Sequence, residues 1–569
     1  MSEKKRIRAC FSSNSSKMIT GFGKNMKNIL LKLFNDPDIE VIEAANGIYY
    51  GADTKTPWKT YGTAPSDHSL IQQIGNDPAK NQAASYGYYT IDKIIEECQP
   101  DIYIGIEDVW AFRQFHEKPW WGKIPKIIWT TVDSLPLLPE VKDLYEKSDK
   151  FLVWASFAEE EMKKIGCKNV ETLHGAVDYS NFKPLPERNA IREKFKLTDE
   201  FVIGFVFKNQ LRKSVPNILE GFKIFKQKNP EAKPKLLLHT DWSERSHGWD
   251  IVRFLEEKGI PMEDLRASYI CHKCGNYFIH PYIGEEKDCP ACGSQKTVHT
   301  KTSSVGVSEP QLNEIYNCMD VYCHPFTSGG QELPIQEAKA AGLITLVTEY
   351  SCGTDSCYEH QGGFPLKWSE YREPHTQFIK ATTCPNDIAD KLEKVFLMRP
   401  ERKQRIIANG QKYIQEEFCV DKTVARLKKI ILETHANFIP TAKEEPPKQV
   451  QPNFEDLLDK EDEGKRIAIV IPQSEQDVFL VNSLVENVKK TYPDHNIYFI
   501  TKPEYYELIE DNPHVHKLIP YQDGVDSLFL LEGKGQHKGY FEIAFFPHAT
   551  TQKFFAYHHN GVDVTQFKL

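Results

Sequence analysis

The sequence predicts an α/β protein built from parallel sheets with helices on both faces, and a small metal-binding ribbon set into its middle. Two observations point to the sheets. Short apolar runs recur along the chain, and helical periodicity falls between them. One observation points to the ribbon, a pair of CxxC knuckles separated by fourteen residues. The chain of 569 residues is long enough for three or four domains.

The first sheet begins at RIRACF (6–11). An amphipathic helix follows over 23–35, with Met26, Ile29, Leu30, Leu33 and Phe34 at helical spacing. DIYIGI (101–106), KIIWTT (126–131) and FLVWAS (151–156) read as further buried strands. Such continuous apolar runs belong to parallel sheets buried on both faces. This series defines an N-terminal Rossmann-like domain over 1–185. A second βα series defines another over 186–400. Its strands are FVIGFVF (201–207), KLLLHT (235–240), DVYCHP (320–325) and LITLVT (343–348). Helical, charge-rich sequence over 401–436 closes this core.

Proline and charge over 437–464 read as a solvated spacer. A third βα start follows over 465–569. It has a strand RIAIVIP, a helix carrying Val478, Leu480, Val481, Leu484 and Val485, and a strand NIYFIT.

Composition narrows the function. Formal net charge is −9, which argues against a surface wholly adapted to nucleic acid. There is no apolar run of membrane-spanning length and no secretion-signal pattern, so a cytoplasmic protein is expected. The 13 cysteines are an odd number in such a chain, which argues against a disulfide framework. Cys271, Cys274, Cys289 and Cys292 form the two knuckles, each followed by glycine. Four thiolates complete a tetrahedron, so a structural zinc ribbon is expected over 268–300, closed to catalysis.

The run SEPQLNEIYNCMDVYCHPFTSGGQELPIQEAKAAGLITLVT begins at Ser308 and holds a physical anion site. Gly329 and Gly330 allow close backbone approach. Leu333 opens a helix, and Pro334 suits its first turn. The helix N-terminus presents N–H groups and partial positive charge. Glu337 follows about one turn in.

The same run resembles the donor-binding signature of glycosyltransferase family 4. That resemblance implies a GT-B fold, in which two Rossmann-like domains face a cleft. It also implies transfer of a sugar from a nucleotide-sugar donor with retention, and no catalytic metal. By the resemblance Glu337 accepts the ribose hydroxyls. The position eight residues earlier is acidic in the family and is Gly329 here, so Glu332, or Gln331 with the backbone, is left to read the donor sugar. Lys208 closes the strand FVIGFVF, and Lys213 follows five residues on. This spacing is similar to the family's diphosphate-neutralising pair, with Arg212 as a close alternative. Fixed cations there stabilise a departing diphosphate.

Gly21 and Gly23 lie in a stretch that resembles the family's glycine-rich first loop. LHGAVDYSNFKP (173–184) is similar to its interdomain crossing, where His174 reads as structural. Asp133 in WTTVDSLP is the candidate acceptor or sugar contact, and Glu107–Asp108 is a second cleft-edge candidate; helix capping is the competing reading for both. The expected donor is a UDP-sugar, and the acceptor a glycan, a lipid or a modified DNA base. Residues 466–521 resemble the N-terminal half of heptosyltransferases, family 9, without the nucleotide-binding half. The C-terminal block therefore reads as an accessory module, with homo-oligomerisation as one role. The reading from a different class is an inactive GT-B scaffold or a nucleic-acid-binding protein that uses the ribbon.

Overall fold

The computed structural model describes residues 5–300, 305–440, 454–472, 474–522, 525 and 539–548, with backbone strands over 553–558 and 564–568. The chain divides into two compact units, 1–442 and 443–569.

The first unit holds two doubly wound domains. In the N-terminal one, β1 (Ile7–Asn14), β2 (Ile39–Tyr49), β3 (Lys59–Ala64), β4 (Ile102–Gly105), β5 (Lys126–Thr130), β6 (Lys150–Val153) and β7 (Val170–Thr172) form one parallel sheet in the order β3-β2-β1-β4-β5-β6-β7. This is the Rossmann order, with its switch point between β1 and β4. Phe11, Ile104 and Trp129 are wholly buried, as strands covered on both faces require.

In the second domain, β8 (Val202–Val206), β9 (Lys235–His239) and β10 (Leu265–Cys271) lie on one side of a second switch point. β13 (Val321–His324), β14 (Thr345–Thr348) and β15 (Gly363–Leu366) lie on the other. β11 (Tyr277–His280) and β12 (Val298–Thr300) both pair antiparallel with β10. A hairpin of β16 (Trp368–Arg372) and β17 (Ile379–Thr383) stands apart from that sheet.

The two closing helices are divided between the domains. The Pro400–Glu417 helix buries Ile406 and Ile414 in the second domain's cores. The Val420–Asn437 helix crosses back and packs Val424, Leu427 and Ile431 against Ala9, Phe11 and Ile29 of the first.

Two expected boundaries shift. The first helix spans Gly21–Leu33, so Gly21 and Gly23 lie in its opening turn and not in a loop. Thr20 caps it by accepting the Gly23 N–H at 3.0 Å. The loop proper is Ser15–Ile19. A Cβ on Gly23 would lie 2.4 Å from the Met18 carbonyl oxygen, which explains glycine there without any ligand.

The second unit contains β18 (Lys465–Val470), β19 (His495–Thr501), β20 (Lys517–Pro520) and β21 (Ile543–His548), all parallel. Antiparallel β22 (Lys553–His558) and β23 (Val564–Lys568) continue the sheet beyond β21. The spacer expected over 437–464 is shorter than that. Phe454 and Leu458 pack in this unit's core, and Asp462 accepts from Tyr498 at 2.6 Å. The single helix expected here is two, Glu475–Asn482 and Val485–Thr491. Leu480 is exposed, while Val478, Val481, Val485 and Val488 carry the buried face.

Candidate functional site at the interdomain cleft

Both switch points open on one cleft, where ligands gather in open α/β sheets. On the second domain's side, the loop after β13 runs through Ser328–Glu332 into the Leu333–Ala340 helix. Each residue of this loop is fixed. Gly330 lies against Thr131 of the other domain, where a Cβ would come within 2.3 Å of the threonine Cβ. Gln331 forms a two-way amide contact with the crossing segment. Its Oε1 accepts the Gly175 N–H at 2.7 Å, and its Nε2 donates to the Gly175 carbonyl at 3.0 Å. Gly329 donates to Ser351 at 3.3 Å. Lys380, on β17, donates to Ser134 and Ser328 at 2.7 Å each, tying the loop to the facing domain.

Glu332 sits differently from a donor-facing carboxylate. It is almost fully buried at the start of the helix. One oxygen pairs with Arg212, the other with Lys213, and His324 Nε2 lies 3.2 Å from the latter. These contacts occupy the carboxylate beneath the loop. Burial opposes its charge, but Arg212 and Lys213 outweigh that and hold its pKa well below the carboxylate range. Burial, then the Arg212 charge, lowers Lys213 to about 8. Burial, then Lys213, lowers His324 to about 4, so the imidazole is neutral. Its Nδ1 lies 2.8 Å from the Tyr322 hydroxyl.

The three basic candidates after β8 therefore part company. The Lys213 side chain is 3% exposed and turned toward Glu332, whereas that of Arg212 is 39% exposed. Lys208, at the strand end, is exposed.

Glu337 lies one turn into the helix, 4% exposed. Its Oε2 accepts from the Tyr316 hydroxyl at 2.8 Å, and its Oε1 pairs with Lys24 Nζ of the facing domain at 2.9 Å. Beside this pair, a cavity of about 470 Å³ lies between the domains. Ser16, Met18, Ile19 and Lys27 line one side; His239, Val307, Glu309 and Leu312 line the other. A buried carboxylate absent from the sequence-level candidates shapes its first wall. Glu43 accepts from the Ser16 N–H at 2.7 Å, the Trp58 indole at 2.7 Å and the Thr60 hydroxyl at 3.0 Å, pinning the Ser15–Ile19 loop.

Asp133 lies at the cleft edge. Its carbonyl accepts from Ser351 at 2.8 Å, and its carboxylate accepts from Ser134 at 2.9 Å. Glu107 is buried, and that burial raises its pKa to about 8; Asn46 donates to it at 3.1 Å. Asp108 binds the Thr131 hydroxyl, and its pKa is raised by burial and then by Asp133. His174 is structural: it stacks on Phe418, and its Nδ1 lies 2.8 Å from the Trp154 carbonyl.

No family model and no curated protein matches the chain. Solved structures do. HepE of Anabaena with UDP-glucose is similar at a TM-score of 0.52 and 11% identity, covering 75% of this chain and all of that one. Sucrose-phosphate synthase from Thermosynechococcus elongatus is similar at 0.51 and 12%, covering 76% and all of that chain. The E. coli trehalose-6-phosphate protein bound with UDP-2-fluoro glucose is similar at 0.50 and 11%, again over 76% and all of that chain.

The fold is that of the GT-B glycosyltransferases. The cleft between the two GT-B domains is accordingly where Gly21, Gly329, Gly330, Gln331, Leu333 and Glu337 come together. A Cβ on Gly21 would touch Leu333 at 3.9 Å.

The four knuckle cysteines also converge. All their sulfurs lie within 4.8 Å of one another, with Cys271–Cys292 at 3.9 Å and Cys274–Cys289 at 3.7 Å. Zinc–thiolate bonds of about 2.3 Å in a tetrahedron give sulfur–sulfur edges of about 3.8 Å, so the cluster fits a metal ion. Gly275 and Gly293 take positive φ and donate to the Cys271 and Cys289 carbonyls at 2.8 and 2.9 Å, closing each knuckle. The ribbon rests on the Glu309–Asn317 helix, where Gln311 donates to the Gly275 carbonyl at 2.8 Å. That helix also supplies Tyr316 to Glu337.

Proposed function

We propose that this protein is a glycosyltransferase that moves a hexose from a nucleotide sugar, a UDP-sugar, to an acceptor held by the N-terminal domain. The observation that carries the reading is the placement of Glu337. A buried carboxylate, one turn inside a helix whose N-terminus faces the opposite domain, pairs with Lys24, and Lys24 in turn lines an interdomain cavity of about 470 Å³. An ionised carboxylate has about four lone-pair sites. Glu337 can therefore keep Tyr316 and Lys24 while accepting two ribose hydroxyls.

The diphosphate then meets the first turn of the Leu333–Ala340 helix, where backbone N–H groups and the helix dipole favour negative charge. Arg212 and Lys208 supply side-chain cations. Lys213 acts from behind, through Glu332 and its hold on Arg212. As the bond from anomeric carbon to phosphate oxygen breaks, charge grows on the leaving diphosphate, and donors fixed in advance stabilise it. The resemblance to family 4 supports retention, with the leaving phosphate taking the acceptor's proton on the same face. Asp133, beside Ser134 and Ser351, is placed to touch sugar or acceptor. The cysteine cluster takes a structural zinc, because four thiolates leave no open position for substrate.

The test is nucleoside diphosphate release from UDP-, GDP- and ADP-sugars by the purified chain without acceptor. One donor is hydrolysed slowly. Glu337→Ala removes charge-assisted bonds of about 1.5–3 kcal/mol each and lowers release by at least roughly 100-fold. No release and no thermal shift with any donor refutes the proposal.

A further inference from the structure

A second cavity, of about 420 Å³, lies wholly within the N-terminal domain. Tyr86, just past the Pro78–Ser85 helix, and Trp110, in the turn Val109–Phe112 after β4, meet edge to face there with ring centroids 4.6 Å apart. Both rings are half-buried. Arg113 and Glu140 form an ion pair at 3.6 Å on the rim, and the exposed amides of Gln82 and Gln114 join them. Gln114 holds a left-handed backbone, φ +64°, an arrangement that concentrates at ligand-binding sites in non-glycine residues.

This cavity connects to the donor loop through two side chains. Asp108 immediately precedes the Trp110 turn and binds Thr131, and Thr131 packs on Gly330.

We infer that this pocket holds a non-reacting sugar ring of the acceptor, so that the acceptor is a neutral oligosaccharide. The inference rests on the glycosyltransferase reading and extends it to the acceptor class. An amphipathic aromatic surface suits a pyranose, whose C–H face is apolar and whose rim is hydroxylated. A guanidinium–carboxylate pair and two primary amides supply the alternating donors and acceptors that vicinal hydroxyls need. Pockets of this kind combine an apolar floor with a few placed polar groups. The charges decide against the other acceptors. Arg113 is outnumbered by Glu140 and Asp143 in the lining, which disfavours a polyanion such as DNA. A rim of charges and amides disfavours an acyl chain.

The experiment presents the full chain to an array of immobilised neutral oligosaccharides, alongside Trp110→Ala and Arg113→Gln. Folding of the variants is checked by circular dichroism, and Arg113, being exposed, guards against loss of fold in the tryptophan variant. At least one oligosaccharide is retained by the parent protein, more than 10-fold more weakly by Trp110→Ala and several-fold more weakly by Arg113→Gln. Retention of no oligosaccharide at millimolar concentration, or equal retention by the parent and both folded variants, overturns the inference. Donor hydrolysis by the parent, measured on the same preparation, separates the two readings. Hydrolysis without retention sinks only the acceptor assignment; retention with neither hydrolysis nor a thermal shift from any donor sinks the transferase reading.

Discussion

Replacing Glu332 with glutamine tests the basic cluster beneath the Ser328–Glu332 loop. The carboxylate balances Arg212 and Lys213, with neutral His324 alongside. Leaving one buried charge unpaired costs about 3–5 kcal/mol, but neither cation must bear that in full. Lys213 has its pKa at about 8. It can shed its proton at pH 7 for about 1.4 kcal/mol, the equivalent of one pKa unit. Arg212 is 39% exposed and can turn to water, so its share is about 1 kcal/mol or less. The variant should lose about 2 kcal/mol at pH 7, a fall of roughly 2 °C in the transition of the 1–442 unit.

The pH dependence carries the stronger test. Lys213 titrates near 8 when folded and near 10.5 when unfolded. Between these values the unfolded chain binds more protons, so parent stability rises with pH. Above pH 8 the folded lysine is already neutral and its pair with Glu332 is gone. The deficit of Glu332→Gln should therefore shrink to about half or less at pH 9.5. Thermal melts of both proteins at pH 7 and 9.5 measure this. An equal deficit at both pH values, or none at pH 7, refutes the account.

Two further outcomes follow from the geometry. The purified chain should carry one zinc per molecule by elemental analysis, and Cys289→Ser should carry less than roughly a fifth of that, since three thiolates leave the tetrahedron open; full metal content in the variant would contradict the four-thiolate site. Gly330→Ala places a methyl 2.3 Å from Thr131 Cβ, so donor hydrolysis should fall at least 10-fold, with an overpacking cost of about 1–3 kcal/mol; unchanged hydrolysis would show that the two domains need not meet at this loop.

Much of this was legible in the sequence, wherever the signal was local. β1, β4, β8 and β13 announce themselves as apolar runs, and the cysteine knuckles by spacing alone. Gly330 and Leu333–Glu337 are legible because a glycine turn, a helix start and a glutamate one turn in are neighbours along the chain. Contacts between distant residues were not legible. Lys24 and Glu337 are 313 residues apart in sequence, and nothing local marks their pairing. His324 is hidden at the end of a strand and gains its meaning only from Glu332. Glu43 reads as a polar interruption in an otherwise apolar strand until Ser16 and Trp58 close on it. Leu480 fits a helical stripe as well as Val481 does. Only the break after Asn482, which divides one expected helix into two, decides which of them faces the core.

β10 is at once a strand of the second domain's sheet and the first strand of the ribbon. Its beginning pairs with β9; its end runs past β9, is flanked by β11 and β12, and finishes in Cys271. A strand that overshoots its neighbour offers unpaired N–H and C=O groups, the template on which chains join edge to edge. The knuckles fold two short strands around that overhang and cover both of its sides. Loss of the cluster would thus first be felt as self-association of the protein, ahead of any change in its chemistry.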